Sequence, residues 1–234
     1  MTDIHLHYKE QGTGFPLVLL HGNGENCNYF EHQLSFFGEK YRVIAVDTRG
    51  HGKSPRGEAP FTIRQFADDL NSFLEEMEIP QAIVLGFSDG ANTALCFALK
   101  YPEKLKALVL NGGNLNPGGV KASVQIPIEL GYRISGLFTD ASEKARRNHE
   151  MLRLMVKDPA LKPEELGKIR VPVLVIAGTK DMIKEEHTRL IAESIPGAEL
   201  RLVKGDHFIA AKEPGKFNGA VDVFLEELWK NESV

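Results

Sequence analysis

A Gly-x-Ser-x-Gly pentapeptide centred on Ser88 constrains the fold of this chain more than any other segment. It follows an apolar, β-branched run at residues 82–85. It precedes residues 91–95, in which Ala and Leu recur at helical spacing. The first pattern predicts a buried strand and the second a helix. Gly86 and Gly90 permit a turn that is too tight for side chains. A serine in such a turn between a strand and a helix is typical of a nucleophile elbow.

Apolar runs and helical patterns alternate along most of the chain. Several runs are continuously apolar, as expected of central strands covered on both faces. The alternation predicts an α/β fold, with a mostly parallel sheet and helices on both faces. Thr62 is a candidate N-cap for the first long helix. The predicted strands are residues 4–8, 16–20, 42–46, 82–87, 106–111, 171–177 and 199–203. The predicted helices outside residues 112–170 are residues 63–77, 91–101, 185–194 and 214–229.

Residues 112–170 interrupt this alternation, because they contain no strand pattern. A glycine-rich start is followed by helical patterns at residues 126–137 and 142–156. Long ordered insertions of this kind tend to be functional. We therefore expect a small helical cap at residues 112–170 over an α/β core made of residues 1–111 and 171–234. An ordinary surface excursion is the alternative.

The composition is that of one soluble globular domain. The chain has 234 residues, of which 42% are hydrophobic and 26% charged, and its net charge is -4. That charge gives no reason to expect a nucleic acid or an anionic membrane as a partner. No apolar run is long enough to span a bilayer, and the first residues do not resemble a signal peptide. These features predict a cytoplasmic protein. Two cysteines, Cys27 and Cys96, form neither a disulfide framework nor a metal-ligand cluster in sequence.

Ser88 needs a base to accept its proton and a carboxylate to orient that base. His207 follows the last predicted strand, and Asp181 follows the strand before it. The chain order Ser88, Asp181, His207 is the one expected when a serine stands in a strand-to-helix elbow. Taken singly, a loop histidine or an aspartate after a strand is usually a turn residue. Together, each at the end of a strand, they predict a catalytic triad.

Four other titratable residues are interpreted as structural. Asp206 adjoins His207 and serves the turn. Asp47 ends a strand and holds its loop through hydrogen bonds, with Arg49 as a candidate partner. His51 belongs to the same loop, and His21 stands beside glycines whose backbone is the functional part.

A tetrahedral intermediate requires two N–H donors for its oxyanion. One candidate is the backbone N–H of Asp89, at the start of the helix after Ser88. The other is the N–H of Asn23, because Gly22 and Gly24 let the backbone approach the substrate closely. A plain glycine-rich turn is the alternative for this second segment.

These motifs together resemble the α/β-hydrolase superfamily over residues 4–229. The matching segments are His21-Gly22-Asn23-Gly24, Asp47-x-Arg49-Gly50-His51-Gly52-x-Ser54, Gly86-x-Ser88-x-Gly90, Gly178-Thr179-Lys180-Asp181 and Gly205-Asp206-His207-Phe208. The resemblance implies Ser88 as nucleophile, Asp181 as acid and His207 as base, with no metal or organic cofactor. Two departures are a short N-terminus, with room for one strand before residue 16, and a smaller cap.

The elbow, together with residues 100–105 (Lys-Tyr-Pro-Glu-Lys-Leu), particularly resembles biphenyl hydrolase-like enzymes, including valacyclovirase-type esterases. A serine at the elbow argues against the carboxylate-nucleophile chemistry of haloalkane dehalogenases and epoxide hydrolases. The resemblance suggests that the Asp89 carboxylate attracts a substrate ammonium group. The alternative is that Asp89 only favours the helix N-terminus electrostatically.

The cap carries apolar residues that either line an acyl pocket or seal the cap against the core. Leu137 and Phe138 are the candidate substrate contacts. Its arginines are interpreted as a solvated helix face. The other apolar residues with these two possible roles are Ile126, Ile128, Leu130 and Ile134.

The sequence thus predicts a serine hydrolase that cleaves a small carboxylic ester, a thioester or lactone also being possible substrates, through an acyl-enzyme on Ser88. A C–C bond hydrolase or acyltransferase on the same scaffold, or a low-turnover ligand receptor, are the alternatives. The expected partner is a small ester-like molecule, and the expected assembly is a monomer or homodimer.

Overall fold

A computed structural model describes residues 3–230. Seven strands form one sheet: β1 (Tyr8–Gln11), β2 (Pro16–Leu20), β3 (Arg42–Val46), β4 (Ala82–Phe87), β5 (Leu105–Asn111), β6 (Val173–Gly178) and β7 (Glu199–Val203). Their spatial order is β1-β3-β2-β4-β5-β6-β7. β1 is antiparallel to β3, and every other pairing is parallel. The predicted mostly parallel sheet is confirmed, with one strand before residue 16.

Nine helices accompany the sheet in the described part of the chain: α1 (Glu31–Phe37), α2 (Ile63–Glu76), α3 (Asp89–Lys100), α4 (Ala122–Ser135), α5 (Glu143–Lys157), α6 (Pro163–Leu166), α7 (Glu185–Ser194), α8 (Ile209–Lys212) and α9 (Pro214–Lys230). Thr62 caps α2 as predicted, because its hydroxyl accepts the N–H of Gln65 at 3.1 Å. The sequence patterns missed α1, α6 and α8, which are short. Within residues 3–230, no helix is long and apolar enough to cross a membrane.

Alternate residues of the central strands feed two apolar clusters, one on each face of the sheet. Val18 and Leu20 of β2 pack with α2 and α3 on one face. Leu17 and Leu19 pack with α1 and α9 on the other. Because both faces are covered, the strands read as continuous apolar runs rather than alternating ones. The parallel strands therefore present their carboxyl ends together at one edge, where ligand sites of such sheets lie.

The first strand was predicted at residues 4–8, and the structure places it at Tyr8–Gln11 instead. Its register pairs Tyr8 with Val46 and Gln11 with Val43, and all four of its residues are exposed. A solvated edge strand has no apolar pattern to reveal it. The apolar residue that suggested the earlier position, Ile4, is buried away from the sheet hydrogen bonds.

Residues 112–170, the cap segment, lie between β5 and β6 and carry α4, α5 and α6. Leu161, Leu166 and Ile169, near its end, are buried in the apolar cluster that contains α2 and α3. Its last part is therefore packed onto the core, while α4 leaves several apolar residues exposed. The proposed division into core and cap stays a prediction, and residues 1–2 and 231–234 of the predicted core lie outside the described residues.

Candidate active site

Ser88 occupies a strained turn between β4 and α3. Its backbone has φ 54° and ψ −118°, which side-chain-bearing residues rarely adopt. The flanking glycines are required by close approach. A Cβ on Gly86 would lie 2.2 Å from the carbonyl oxygen of Gly90, and a Cβ on Gly90 would lie 2.0 Å from that of Leu20. The turn therefore needs glycine at both positions, and it projects the serine at the carboxyl edge of the sheet.

Ser88, His207 and Asp181 form a continuous hydrogen-bonded chain. His207 Nε2 lies 3.0 Å from Ser88 Oγ, and His207 Nδ1 lies 2.6 Å from Asp181 Oδ1. His207 and Asp181 are 3% and 4% exposed, so the pair is shielded from water. The carboxylate fixes the proton on Nδ1 and leaves Nε2 free to accept the serine proton. The structure thus brings the three sequence-predicted residues together in the order their chemistry requires.

Local contacts hold the two partner loops in place. Asp181 Oδ1 also accepts the N–H of Ile183 at 2.9 Å, which orients the carboxylate. A Cβ on Gly178 would lie 2.1 Å from the carbonyl oxygen of Asp206, so glycine lets the loops after β6 and β7 meet. The Asp206 side chain points into its own turn, accepting the N–H of Phe208 at 2.9 Å and pairing with Lys212 at 2.5 Å. Its predicted role in the turn agrees with these contacts.

The loop that carries Asn23 lies directly against the nucleophile. A Cβ on Gly22 would come within 3.1 Å of Ser88 Cβ. The Asn23 side chain donates to the carbonyl oxygen of Met151 in α5 at 2.8 Å, which joins this loop to the cap segment. Asp89 is the first residue of α3, where backbone N–H groups have no acceptor within the helix. Both predicted oxyanion donors therefore belong to backbone segments next to Ser88.

His21 holds the loop that carries Asn23 in place through two hydrogen bonds of its ring. Its Nδ1 lies 2.7 Å from the carbonyl oxygen of Gly22, and its Nε2 accepts the N–H of Thr48 at 3.1 Å. These two bonds require the neutral ring with its proton on Nδ1. Burial lowers the pKa of His21 to about 4, and the neighbouring His51 adds to the effect. The interpretation of His21 as structural fits this arrangement.

Asp47 is also saturated by structural bonds. It accepts N–H groups from Cys27 at 2.6 Å and Lys53 at 2.8 Å, and it lies 2.9 Å from His7 Nδ1. His7, Cys27 and Asp47 place potential metal-ligand atoms within 4.8 Å of one another. Because the carboxylate oxygens already serve N–H donors, the cluster works as a loop anchor.

Arg49 was suggested as a partner of Asp47, and this is wrong. Its guanidinium instead bonds the carboxylates of Asp69 at 2.7 Å and Asp3 at 2.5 Å. The guanidinium is fully buried, so two carboxylates rather than one are needed to compensate it. Both partners are distant in sequence, which is why the local pattern did not reveal them.

A small cavity beside Ser88, the Asp89 cavity, has a volume of about 20 Å³. Asp89 Oδ1 accepts from the side-chain amide of Asn92 at 3.2 Å. Among residues 3–230, the buried atoms Asp89 Oδ2 and Gln125 Oε1 have no hydrogen-bond partner. Burial raises the pKa of Asp89 to about 6, against the lowering effect of the amides of Asn23 and Asn92. The residues that line this cavity are Asn23, Ser88, Asp89, Asn114, Val120, Gln125, Met155, Asp158, Met182 and Ile183.

A larger cavity that also reaches Ser88, the Glu25 cavity, has a volume of about 250 Å³ and shares Asn23, Met155 and Met182 with the first. It is mainly apolar, and its lining residues are Gly22, Asn23, Glu25, Phe87, Ser88, Asn148, Met151, Leu152, Met155, Met182, His207 and Phe208. Sequence reasoning did not find Glu25, Gln125, Asp158 or the methionines, because no motif marks them.

The structure does not bring Leu137 and Phe138 to the site. They lie in a 3-10 turn just after α4, where they are 80% and 55% exposed, and neither lines the cavities beside Ser88. The apolar residues that the cap segment contributes to the larger cavity come from α5 instead, and they are Met151, Leu152 and Met155. The side chains of Leu137 and Phe138, just after α4, therefore face solvent.

The sheet order, the elbow and the triad define a class, and the comparison with known families agrees. Residues 16–133 match the family model described as the alpha/beta hydrolase fold. The chain belongs to the α/β-hydrolase family. The resemblance inferred from the motifs is confirmed at this level, and the narrower likeness to biphenyl hydrolase-like esterases stays a prediction.

Individual relatives are hydrolases. The chain is 27% identical to 3-oxoadipate enol-lactonase 2 of Acinetobacter baylyi over 252 residues, covering 96% of this chain and 94% of the relative. It is 34% identical to a 2-hydroxy-6-oxononadienedioate/2-hydroxy-6-oxononatrienedioate hydrolase of Paraburkholderia phymatum over 180 residues, 73% of this chain and 60% of that protein. A solved hydrolase from Pseudomonas aeruginosa PA01 superposes with a TM-score of 0.78 at 27% identity, covering 95% and 94% of the two chains. The relatives thus support a hydrolase, and they do not define the substrate of this protein.

Proposed function

We propose that this protein is a serine hydrolase that cleaves a small carboxylic ester through an acyl-enzyme on Ser88. The observation that carries the proposal is the chain of hydrogen bonds from Ser88 Oγ through His207 to Asp181, at 3.0 Å and 2.6 Å. A shielded imidazole with one nitrogen on a carboxylate and the other on a serine is arranged for nucleophilic catalysis. A lactone is a cyclic ester, so a relative named as an enol-lactonase supports the same chemistry.

In the first half-reaction, Ser88 Oγ attacks the ester carbonyl carbon while His207 Nε2 takes its proton. The N–H groups of Asp89 and Asn23 donate hydrogen bonds to the carbonyl oxygen and stabilise the negative charge that develops on it. The imidazolium, stabilised by Asp181, then protonates the leaving alcohol oxygen as the C–O bond breaks. In the second half-reaction, His207 takes a proton from water, the hydroxide attacks the acyl carbon, and Ser88 leaves with the proton.

The cavity walls favour a neutral or cationic substrate over a carboxylate. Neither the Asp89 cavity nor the Glu25 cavity is lined by a lysine or an arginine, although both are lined by carboxylates. The relatives named for 3-oxoadipate and nonadienedioate substrates act on molecules whose names denote carboxylates. A buried carboxylate beside an anionic substrate costs binding energy. The substrate of this protein therefore differs in charge from theirs.

Asp89 supplies a recognition group for an ammonium on the acyl side. Asp89 Oδ2 and Gln125 Oε1 are buried acceptors without partners in the described part of the chain, and Asp158 lines the same cavity. An ammonium group carries three donors and no acceptor, so it matches a wall of acceptors. With a pKa of about 6, Asp89 is mostly ionised at pH 7. These contacts support amino-acyl esters as substrates.

The test is a chain-length series of p-nitrophenyl esters and amino-acyl esters, each amino-acyl ester matched by its des-amino analogue. Wild type is expected to hydrolyse members of the series, and Ser88→Ala is expected to lose the activity. Asp89→Asn is expected to remove the preference for the amino-acyl member of each pair. If wild type hydrolyses no ester, or Ser88→Ala remains equally active, the proposed function is wrong. Equal preference in wild type and Asp89→Asn refutes only the ammonium site.

A C–C bond hydrolase is the second candidate, because a relative at 34% identity bears such a name. The absence of a lysine or arginine from the walls of both cavities weighs against a dicarboxylate substrate. Incubation with a 2-hydroxy-6-oxo-dienoate, followed by the loss of its absorbance, tests this alternative directly. Turnover faster than that of every ester would favour it.

A further inference from the structure

Glu25 lies in the wall of the larger cavity and is tied to the loop that carries Asn23. Its backbone N–H donates to the carbonyl oxygen of Gly22 at 3.3 Å, and its Oε2 accepts the N–H of Gly22 at 3.3 Å. The backbone bond fixes the turn, and the bond to Oε2 orients the carboxyl group. Within residues 3–230, the other oxygen, Oε1, makes no hydrogen bond. Glu25 therefore has one anchored oxygen and one available acceptor.

The Glu25 cavity lies on the leaving-group side of Ser88. His207 and Phe208 line it, whereas neither lines the Asp89 cavity. In acyl transfer by a serine, the histidine passes its proton to the leaving oxygen. The leaving group must therefore lie on the side of Ser88 that His207 faces, and the alcohol part of an ester enters the cavity that contains Glu25.

The walls around Glu25 are suited to a cation. Phe87 and Phe208 contribute apolar surface, but Phe87 is 1% exposed and stacks on Tyr29, and Lys212 Nζ already lies over the Phe208 ring, 5.2 Å from its centroid. The attraction for a cation therefore comes from the Glu25 carboxylate, and the methionine side chains adapt to irregular groups. Among the residues that line the cavity, none is a lysine or an arginine, and Glu25 is the sole carboxylate. The cavity thus combines an apolar, aromatic wall with one negative charge.

We infer that Glu25 recognises a positively charged amine on the leaving alcohol of the substrate. The inference rests on the proposed ester hydrolysis and adds the class of leaving group, an amino alcohol or its quaternary form. Glu25 Oε1 accepts from, or lies against, the cationic nitrogen, while the methionine and leucine side chains that line the cavity contact its carbon substituents. Glu25 would then act in binding specificity rather than in the bond-breaking steps.

The titratable groups that interact with Glu25 are His207, on the loop after β7, and Tyr29, four residues further along its own segment. Lys212 lies behind Phe208, with Nζ 5.2 Å from the ring centroid, and does not line the cavity. Tyr29 stacks on Phe87 at 4.4 Å, and burial raises its pKa far above neutrality, so it stays neutral. The residues of the cap segment that line the cavity are uncharged: Asn148, Met151, Leu152 and Met155. Burial raises the pKa of Glu25 itself to about 7, against the lowering effects of the Gly22 N–H and of His207. Its negative charge, and with it the cation preference, should grow as the pH rises through 7.

Choline butyrate and 3,3-dimethylbutyl butyrate form a matched pair for the experiment, because they differ only in a quaternary nitrogen and a quaternary carbon. The quantity measured is the ratio of kcat/KM for the cationic ester to that for the neutral ester. Neither substrate titrates, and both would be cleaved by the same triad, so effects on the triad that are common to the two esters cancel in the ratio. For wild type, we expect a ratio of about ten or more at pH 8 and a several-fold smaller one at pH 6, as an ion pair with a partly buried carboxylate would produce.

Glu25→Gln keeps an acceptor for the Gly22 N–H and removes the charge. We expect it to bring the ratio close to one at both pH values, because the charge that distinguishes the two esters is removed. Glu31→Gln, at the exposed start of α1, makes the same change in net charge away from the site and should keep the wild-type ratio. A wild-type ratio near one, or the same ratio in Glu25→Gln as in wild type, overturns the inference while ester hydrolysis stands. If wild type hydrolyses neither butyrate nor any other ester, the proposed function fails and the inference fails with it.

Discussion

Gly112 lies directly against His207: a Cβ at this position would come within 2.8 Å of His207 Cε1 and 2.9 Å of His207 Nδ1. Gly112 is the first residue after β5, it has φ +63°, and its backbone N–H donates to Ile176 of β6 at 3.2 Å. The end of β5, which lies between β4 and β6, thus packs directly against the imidazole. Glycine is required here for space as well as for conformation.

Gly112→Ala is therefore expected to lower kcat by about two orders of magnitude, because a displacement of the histidine near 1 Å misaligns proton transfer. The measurement is steady-state ester hydrolysis together with the thermal midpoint. Gly197→Ala is the matched control, since Gly197 has φ +74° and no atom lies within 4 Å of the position that an added methyl group would take. Both variants incur the strain of a positive φ, and only the first meets the histidine. Equal activity in the two variants would show that Gly112 does not position His207.

Asp181→Asn should lower kcat by roughly three to four orders of magnitude, because an amide no longer selects the Nδ1–H tautomer of His207 or stabilises the imidazolium. The matched control is Asp206→Asn, one residue from the histidine. The Asp206 carboxylate pairs with Lys212 and the Phe208 N–H, so a change within a few-fold is expected there. Comparable losses in both variants would contradict the assignment of Asp181. Kinetics with one activated ester suffice for the comparison.

The stability of the fold should fall as the pH drops from about 6.5 toward 4, with part of the loss due to His21. Burial lowers the pKa of this ring to about 4, so the unfolded chain binds a proton in that interval and the folded chain does not. The contribution is fully present above the unfolded pKa and is lost as the pH falls through this window. A shift of this size corresponds to about 3 kcal/mol.

His21→Asn removes the titrating ring and keeps a donor for the Gly22 carbonyl. The variant should show a shallower decline of the unfolding free energy between pH 6.5 and 4.5 than wild type, measured by denaturant titration. The nearby His51, whose pKa burial also lowers, continues to titrate in both proteins. Parallel curves for the two proteins would show that His21 does not account for the acid sensitivity.

The second helix of the cap segment is fastened to the core by a two-bond ion pair. Arg56 donates from Nε and Nη2 to Glu150 of α5 at 2.9 Å and 2.7 Å, and both side chains are mostly buried. A double-mutant cycle with Arg56→Gln and Glu150→Gln should give a coupling of about 1 kcal/mol in the free energy of unfolding. The Glu143–Arg147 pair, exposed on the same helix, should give a smaller coupling. A coupling no larger than that of the exposed pair would mean that Arg56 does not secure the cap segment.

The triad could be predicted from sequence because each member follows an apolar strand and the chain order matches the elbow. The glycines at positions 86 and 90 signalled a turn whose close backbone contacts the structure confirms. Prediction succeeded where a local pattern determines a local geometry. The register of parallel strands then brought the three side chains together.

Other features depend on packing that no local pattern encodes. The whole cap segment carries apolar residues. Only the tertiary structure shows that Met151 and Met155 of α5 line the cavity that contains Ser88, while Leu137, just after α4, is exposed. Glu25 was missed because a charged residue in a short turn is ordinary in sequence. Its position in the cavity wall depends on the path of the loop after β2. The edge strand was misplaced for a similar reason, since its four residues are exposed.

Intact-protein mass spectrometry, after acid quenching during turnover of a p-nitrophenyl ester, tests whether an acyl-enzyme forms on Ser88. We expect a transient mass increase equal to the acyl group, located by peptide mapping to the fragment that contains Ser88 and absent from Ser88→Ala. Asp181→Asn should form the same adduct more slowly, because the imidazole base is no longer oriented. Hydrolysis by Ser88→Ala at the wild-type rate, or an acyl group carried on a different residue, would contradict an acyl-enzyme on Ser88.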